Sequence, residues 1–287
     1  MTFHELVDEL ASVSGIDRET LEMHVWKEAL SVGANVREEA TAFGLAFHEY
    51  DARMEAFYRE TAAFMIETVV ESQRPGKQGV VRAILGRIRR TVERIGCPPK
   101  ILMLGDGSAS DTLAIWREFK EDVDLHYFDV PGSRTADMAQ RRLALHGARF
   151  TTLNSYAGIP RNHFDMVISL EVLEHLPDPL AAIADMAEFT KIGATCLVTE
   201  SFDGVSSKFP THLRSNLKYA GRTPLLFLAN NLLLTWYNPE RELRFRPMEF
   251  TRVSHAGPRD RWRIRRIMEG DRSVPVTLAK LVLKALR

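Results

Sequence analysis

From Lys100 to Thr199 the chain repeats one unit: a short apolar run, a break, then apolar residues at helical spacing. Two parallel strands can be joined only by a crossover long enough to hold a helix, so this alternation predicts a parallel sheet built from βαβ units. The pattern places strands near Lys100–Leu104, Leu125–Asp129, Ala148–Leu153, Phe164–Leu170 and Ala194–Thr199. Helices are expected near Ser110–Lys120, Arg134–Leu145 and Pro179–Thr190. "FTRVSHA" and "RWRIRRIM" read as two final strands.

The residues before this unit have a different texture. Phe43, Phe47, Tyr50, Met54, Phe57, Phe64 and Met65 recur at helical spacing between Glu38 and Val70, which reads as a long amphipathic helix. "SQRPGKQG" breaks the pattern, a second helix is expected over Val80–Ile95, and Gly96, Pro98 and Pro99 stop it. Residues 1–95 are therefore expected to form a helical cap, and 96–287 the sheet domain. Residues 202–246 are too long for a plain connection and are expected to form a lid or substrate insertion. Within it, Pro224 to Tyr237 is shorter than the ~20 residues of a membrane-spanning helix and is interrupted by Asn230 and Asn231, so it reads as a core or interfacial helix.

Lys plus Arg (38) balances Asp plus Glu (38), so no overall field recruits nucleic acid or an anionic membrane. The ends are biased: residues 1–73 carry fifteen acidic and five basic side chains, residues 241–287 thirteen basic and five acidic. Two opposed solvated faces are the plain reading; a site for an anionic substrate at the basic end is the sharper one. The two cysteines, Cys97 and Cys196, lack disulfide or zinc-site spacing, and the acidic start "MTFHELVDEL" is unlike an export signal, which points to the cytoplasm.

"ILMLGDGSAS" (101–110) is an apolar run stopping at Gly105, Asp106 and Gly107, and Asp129 ends the next strand 22 residues after Gly107. In a doubly wound sheet the first strand–turn–helix closes its backbone on a ligand, and an acid ending the second strand accepts from ribose hydroxyls. A nicotinamide turn would read G-x-G-x-x-G, but Ser110 stands at the third glycine's position.

Together with "YFDV" and "FDMVISLEVLEHLPDP" (164–179), this turn resembles the class I S-adenosylmethionine-dependent methyltransferases, in their small-molecule, E-V-L-E-H-L branch. The resemblance spans about Lys100 to Ser201. It implies a Rossmann-like, seven-stranded α/β methyltransferase sheet, with the N-terminal helical appendage and the insertion after the fifth strand added to it. It implies S-adenosylmethionine as cofactor. Gly105, Asp106 and Gly107 would wrap its methionine end, Asp129 its ribose, Val130, Asn154 and Ser155 its adenine, and Leu170 and Glu171 the sulfonium. Met103 stands where the family has an acid and Ala109 where it has a third glycine.

A hydroxyl acceptor profits from a general base, and His is the side chain best suited near neutral pH. The candidates are His175, just past the fourth strand, and His212, on a predicted exposed loop at the start of the insertion. Lys208, Arg214 and Lys218 flank His212 and would favour an acceptor bearing a carboxylate or phosphate, while Tyr219, Arg222 and Tyr237 are candidates to line the pocket. The expected activity is methylation of a small or medium metabolite, at oxygen, without a metal. The alternatives are a glycan, a carrier-bound intermediate or RNA as acceptor, or a non-catalytic cofactor-binding module. Nucleic acid is the weakest of these, since no N-P-P-Y-type element follows the fourth strand and basic residues are not interleaved with aromatics. No transmembrane segment is expected, and the sequence is compatible with a homodimer.

Overall fold

The computed structural model describes residues 2–240, 243 and 245–257. Six helices come first: α1 (Phe3–Ser14), α2 (Arg18–Leu30), α3 (Ala34–Ala42), α4 (Ala52–Glu60), α5 (Ala63–Ser72) and α6 (Pro75–Ile95). Local chemistry sets their starts. Thr2 and Glu5 form a capping box on α1, Asp17 and Asp51 cap α2 and α4, and Pro75 occupies the first turn of α6.

The long helix expected over Glu38–Val70 is three separate helices. Gly44 at φ 69° and the cap at Asp51 break it first, and Thr61 in extended conformation ends α4 before α5 begins. The apolar spacing survived these breaks because each helix still buries one face: α3 and α4 share one small core, which Ala63 at the start of α5 joins, and the rest of α5 buries Met65, Ile66, Val69 and Val70 in another. Likewise "PGKQG" opens α6 rather than separating helices, since Pro75 lacks only a hydrogen bond that no first-turn residue makes.

The sheet alternates as expected: β1 (Lys100–Leu104), α7 (Ser110–Phe119), β2 (Asp124–Phe128), α8 (Arg134–Leu145), β3 (Thr151–Thr152), β4 (Phe164–Leu170), α9 (Pro179–Phe189), β5 (Thr190–Thr199). The third strand is far shorter than Ala148–Leu153, because it pairs with β2 only at His126–Thr151 and Tyr127–Thr152 on the sheet's edge. α10 (Thr223–Ala229), β6 (Leu232–Tyr237) and β7 (Met248–Arg252) complete seven strands in the order β3-β2-β1-β4-β5-β7-β6. β1 to β5 run parallel, and β7 lies antiparallel to both β5 and β6.

The last two strands therefore differ from expectation. Pro224–Tyr237 is not one helix: its second half, "LLLTWY", is the edge strand β6, and its Asn230–Asn231 pair is the turn between helix and strand. The insertion thus supplies a strand of the sheet itself. "FTRVSHA" overlaps β7 only at its start, and "RWRIRRIM", with most of the basic C-terminal segment, lies outside the described residues. No described helix is long and apolar enough to cross a membrane.

α6 belongs to the sheet's packing. Its Val80, Ile84 and Ile88 are buried with Ile101, Met103, Ile168 and Leu197, at roughly 1.5–3 kcal/mol for each apolar side chain removed from water. Arg87 of α6 forks onto Glu249 of β7 at 2.8 and 2.6 Å. Helices α1, α2 and α5 pack on one another and on Met138 of α8, while α3 and α4 share a second small core around Phe57. The strand order reverses between β1 and β4, which opens a crevice at the strands' carboxyl ends.

Candidate active site

The β1 turn lies at this crevice. Gly105 and Gly107 take φ values of 80° and 48°, and Ala109 takes 58° where glycine would be at ease. A Cβ at Gly105 would stand 2.7 Å from Val172 Cγ2 in the turn after β4. Asp106 turns its carboxylate into the start of α7, accepting from Asp111 N at 3.2 Å, and from Thr112 N and Oγ1 at 2.6 Å each. It thus satisfies orphan donors of the helix's first turn and leaves backbone to face a ligand. Burial still pushes its pKa to about 7, with Asp111 adding repulsion. Met103, at the family's acidic position, is simply buried.

Asp129 accepts Gly107 N–H through Oδ2 and Val130 N–H through Oδ1, both at 2.7 Å. A carboxylate offers about four lone-pair sites, so two remain for ribose hydroxyls. Asp129 and Asn154 line one small cavity of about 150 Å³, together with Tyr127, Gly132, Asp137 and Leu153. Val130 and Ser155 are not in its wall; Val130 is half-buried and Ser155 exposed.

The appendage reaches into this turn, which the sequence did not reveal. Thr68 of α5 donates to Ser108 Oγ at 2.7 Å, and its methyl lies 3.3 Å from where a Gly107 Cβ would be. The buried Arg142 donates to Ser108 O and Ser110 Oγ while pairing with Glu9 of α1. Lys77 of α6 pairs with Asp111 at 2.7 Å.

Leu170 ends β4 packed on the sheet, and Glu171 follows at φ 56°, a conformation that costs an L-residue about 1–2 kcal/mol. Strain of this kind persists where surrounding contacts dictate it, and functional sites are where it collects. Burial raises the pKa of the Glu171 carboxyl and pushes that of Glu200 to about 7.

Next comes "LEH". Glu174 is buried, with Oε1 accepting from Ser201 Oγ at 2.6 Å and its other oxygen beside the Glu171 carboxyl without a donor. His175 Nδ1 lies 3.0 Å from Tyr58 Oη and 3.3 Å from the Thr211 carbonyl. The carbonyl can only accept, so this contact places the proton on Nδ1 and leaves Nε2 its lone pair. Burial pushes the His175 pKa down to about 4, so at neutral pH the ring is uncharged.

His212 is not on an exposed loop. It is 6% exposed, stacked 4.9 Å from Phe209, edge-on to His175 at 4.7 Å between ring centroids, and seated against Gly204, where a Cβ would meet its Nδ1 at 2.8 Å. Hydrogen bonds hold the loop: His48 Nδ1 meets the His212 carbonyl at 2.9 Å, and Leu213 N donates to Glu174 O. A lone histidine on a loop is exposed by default, and the sequence does not show His48 and Tyr58 of the appendage meeting this loop and His175. Lys208 is half-buried with Nζ 5.5 Å from the Phe209 ring, whereas Arg214 and Lys218 are exposed. Tyr219 packs on Phe202, Arg222 is exposed at the start of α10, and Tyr237 at the end of β6 carries Arg246 4.0 Å over its ring. Tyr58 and Glu174 were missed as site residues; Glu174 stood in the quoted motif, but nothing in the sequence marked Tyr58.

Residues 104–198 match the family model for a methyltransferase domain. This chain carries a methyltransferase domain. No curated protein matches it in sequence. Among solved structures, the CurJ carbon methyltransferase is 12% identical, covering 88% of this chain and 70% of that one, with a TM-score of 0.55. An O-methyltransferase family protein from Burkholderia thailandensis is 14% identical, covering 82% of this chain and 71% of that one, with a TM-score of 0.51. Both likenesses are of fold, and the fold is the Rossmann-like methyltransferase fold.

The methyltransferase-domain match implies S-adenosylmethionine as the cofactor. The residues present fit it: two positive-φ glycines form a cradle that a Cβ would fill, and Asp129 and Glu171, at the ends of β2 and β4, supply acid that the cofactor's ribose hydroxyls and cationic sulfonium would engage. Asp129→Ala is expected to weaken S-adenosylmethionine binding by about 3–6 kcal/mol, at ~1.5–3 kcal/mol for each of two hydrogen bonds to a charged group. An unchanged dissociation constant by calorimetry would place the ribose elsewhere.

The raised acids also set a pH dependence. Burial and the neighbouring Glu28 and Glu71 push the Glu67 pKa to about 8, and Asp106 sits at about 7, both above their unfolded values. The folded protein therefore holds protons that the unfolded chain releases, and this stability is lost as pH rises through 7 to 8. Without cofactor, the melting temperature is expected to be roughly 10–20 °C lower at pH 8.5 than at pH 5.5, at about 2–4 °C per kcal/mol. A melting temperature that rises over this interval would show that other groups dominate.

Proposed function

We propose that this methyltransferase methylates an oxygen of a small or medium metabolite, seated where Tyr58, His175 and His212 meet at the carboxyl end of β4. The observation that carries the reading is that convergence: two imidazoles from different segments, brought edge to face at 4.7 Å and roofed by a tyrosine from the appendage. When bound, the cofactor supplies a methyl group already activated on sulfur. The chain's own part is to orient the acceptor in line with that methyl, exclude water, and receive the hydroxyl proton at a ring nitrogen. A neutral His175 suits this place, because a charged ring would repel the sulfonium.

In this reading, residues 1–73 are the substrate roof, and the earlier boundary at 95 moves to the α5–α6 junction because α6 packs on the sheet. A chain beginning at Arg74 is expected to bind S-adenosylmethionine more weakly and to lose transfer, since Tyr58 and His48 go with the roof. The direct test supplies S-adenosylmethionine with a deuterated methyl to the full chain and a fractionated metabolite extract. Labelled methyl ethers or esters in the small-molecule fraction support the reading. Label only on carbon, nitrogen, glycan, carrier or RNA would overturn it.

A further inference from the structure

We infer that Glu174, His175 and His212 form a binding site for one divalent transition-metal ion of the zinc class. One ligand atom from each of the three lies within 4.8 Å of the other two, and all three come from the two segments that close over the β4 end of the crevice. The donor set is two neutral-capable imidazoles and one carboxylate. It suits zinc, cobalt or ferrous ions and does not suit magnesium or calcium, which favour oxygen throughout.

Three further features point the same way. Glu174 is 1% exposed, and its second carboxyl oxygen has no donor and lies beside the Glu171 carboxyl, a crowding of acid that a cation would relieve. His175 Nδ1 faces Tyr58 Oη and the Thr211 carbonyl, the outer hydrogen bonding that orients a ligating imidazole and leaves Nε2 free. The His212 backbone is pinned at its carbonyl by His48, which itself takes φ 72° to reach it. Two ligands of one tetrahedral ion stand about 3.3 Å apart at bond lengths of about 2.0–2.1 Å. The ligand atoms, all within 4.8 Å of one another, must therefore draw in by no more than about 1.5 Å.

Three protein ligands leave a coordination position open. The inference deepens the reading above, resting on it only for where the acceptor sits. Coordination would lower the pKa of an acceptor hydroxyl in that open position, so that its proton leaves on a water molecule expelled as the site closes; the oxygen would then bond the methyl carbon as the carbon–sulfur bond breaks. In the metal-free protein an imidazole takes that proton instead.

The test uses the full chain, stripped of metal by chelation, with Zn²⁺ and Co²⁺ alone as probes. One equivalent of Co²⁺ should give the intense visible absorption of a tetrahedral site, and Zn²⁺ should bleach it and raise the melting temperature by several degrees. Glu174→Gln and His212→Gln should each weaken Zn²⁺ binding by at least tenfold while S-adenosylmethionine binding persists. His255→Gln, outside the cluster, should leave the stoichiometry at one. Absence of both the cobalt band and the thermal shift in the unsubstituted protein overturns the inference without relying on any variant's folding. Zn²⁺ binding that survives both substitutions, or is lost in His255→Gln, overturns it too. These readouts need no acceptor, so a failure here leaves methyl transfer standing, and a failed transfer assay leaves the ion site standing.

Discussion

His212→Ala is expected to lower turnover about 10²- to 10⁴-fold and leave S-adenosylmethionine affinity unchanged, the usual contribution of a positioned proton acceptor. His212 sits in the insertion loop against the ring of His175, which Tyr58 meets from the appendage, and not in the β1 turn that would hold the cofactor. Its loss therefore falls on the acceptor side alone. The substitution also removes a buried ring between Phe209 and His175, so a stability cost of about 1–3 kcal/mol is expected and turnover must be read well below the melting temperature. Single-turnover rates with saturating cofactor check the prediction. A loss under tenfold would mean that orientation suffices. His175→Ala separates the two histidines, because it also frees Tyr58 and the Thr211 carbonyl and should cost more stability.

Gly105→Ala is expected to damage the cofactor site from the other side. A Cβ at this position would lie 2.7 and 3.0 Å from the two methyls of Val172, and a β-branched side chain has little rotamer freedom with which to move away. The backbone is at φ 80°, which adds about 1–2 kcal/mol for any residue with a Cβ. With overpacking at about 1–3 kcal/mol, the sum is about 2–5 kcal/mol of stability, and the turn must shift to relieve it. S-adenosylmethionine affinity should fall at least tenfold. The double variant Gly105→Ala, Val172→Ala should recover the packing share but not the backbone share, so partial rescue of melting temperature is the diagnostic result. Full rescue would mean that φ carries no cost here; no loss in the single variant would mean that the turn is loose.

The sheet was legible because its causes are local and periodic. The five parallel strands follow from apolar runs bounded by glycine, proline and caps, and Phe164–Leu170 and Arg134–Leu145 fall where the pattern put them. Gly105, Gly107 and Asp129 were legible for the same reason: a tight turn and a strand-end acid are written within about 25 consecutive residues. The edge strands were not. "LLLTWY" carries an apolar run that serves equally well in a buried helix, and only pairing with β7 on one side of the sheet makes it a strand.

What the sequence by itself determined is the parallel α/β core, the turn at Gly105 and the acid opposite it. Only the tertiary structure decided that Tyr58, His48 and Thr68 of the appendage reach the β4 and β1 turns, that Arg142 ties Glu9 to Ser108, and that His212 is buried against His175. These contacts join residues 34 to 164 positions apart, with no period or spacing to announce them. They exist because the helices ahead of the sheet bury their apolar faces on α8 and on each other, and that packing, driven by non-directional burial, carries a few polar side chains over the crevice with it.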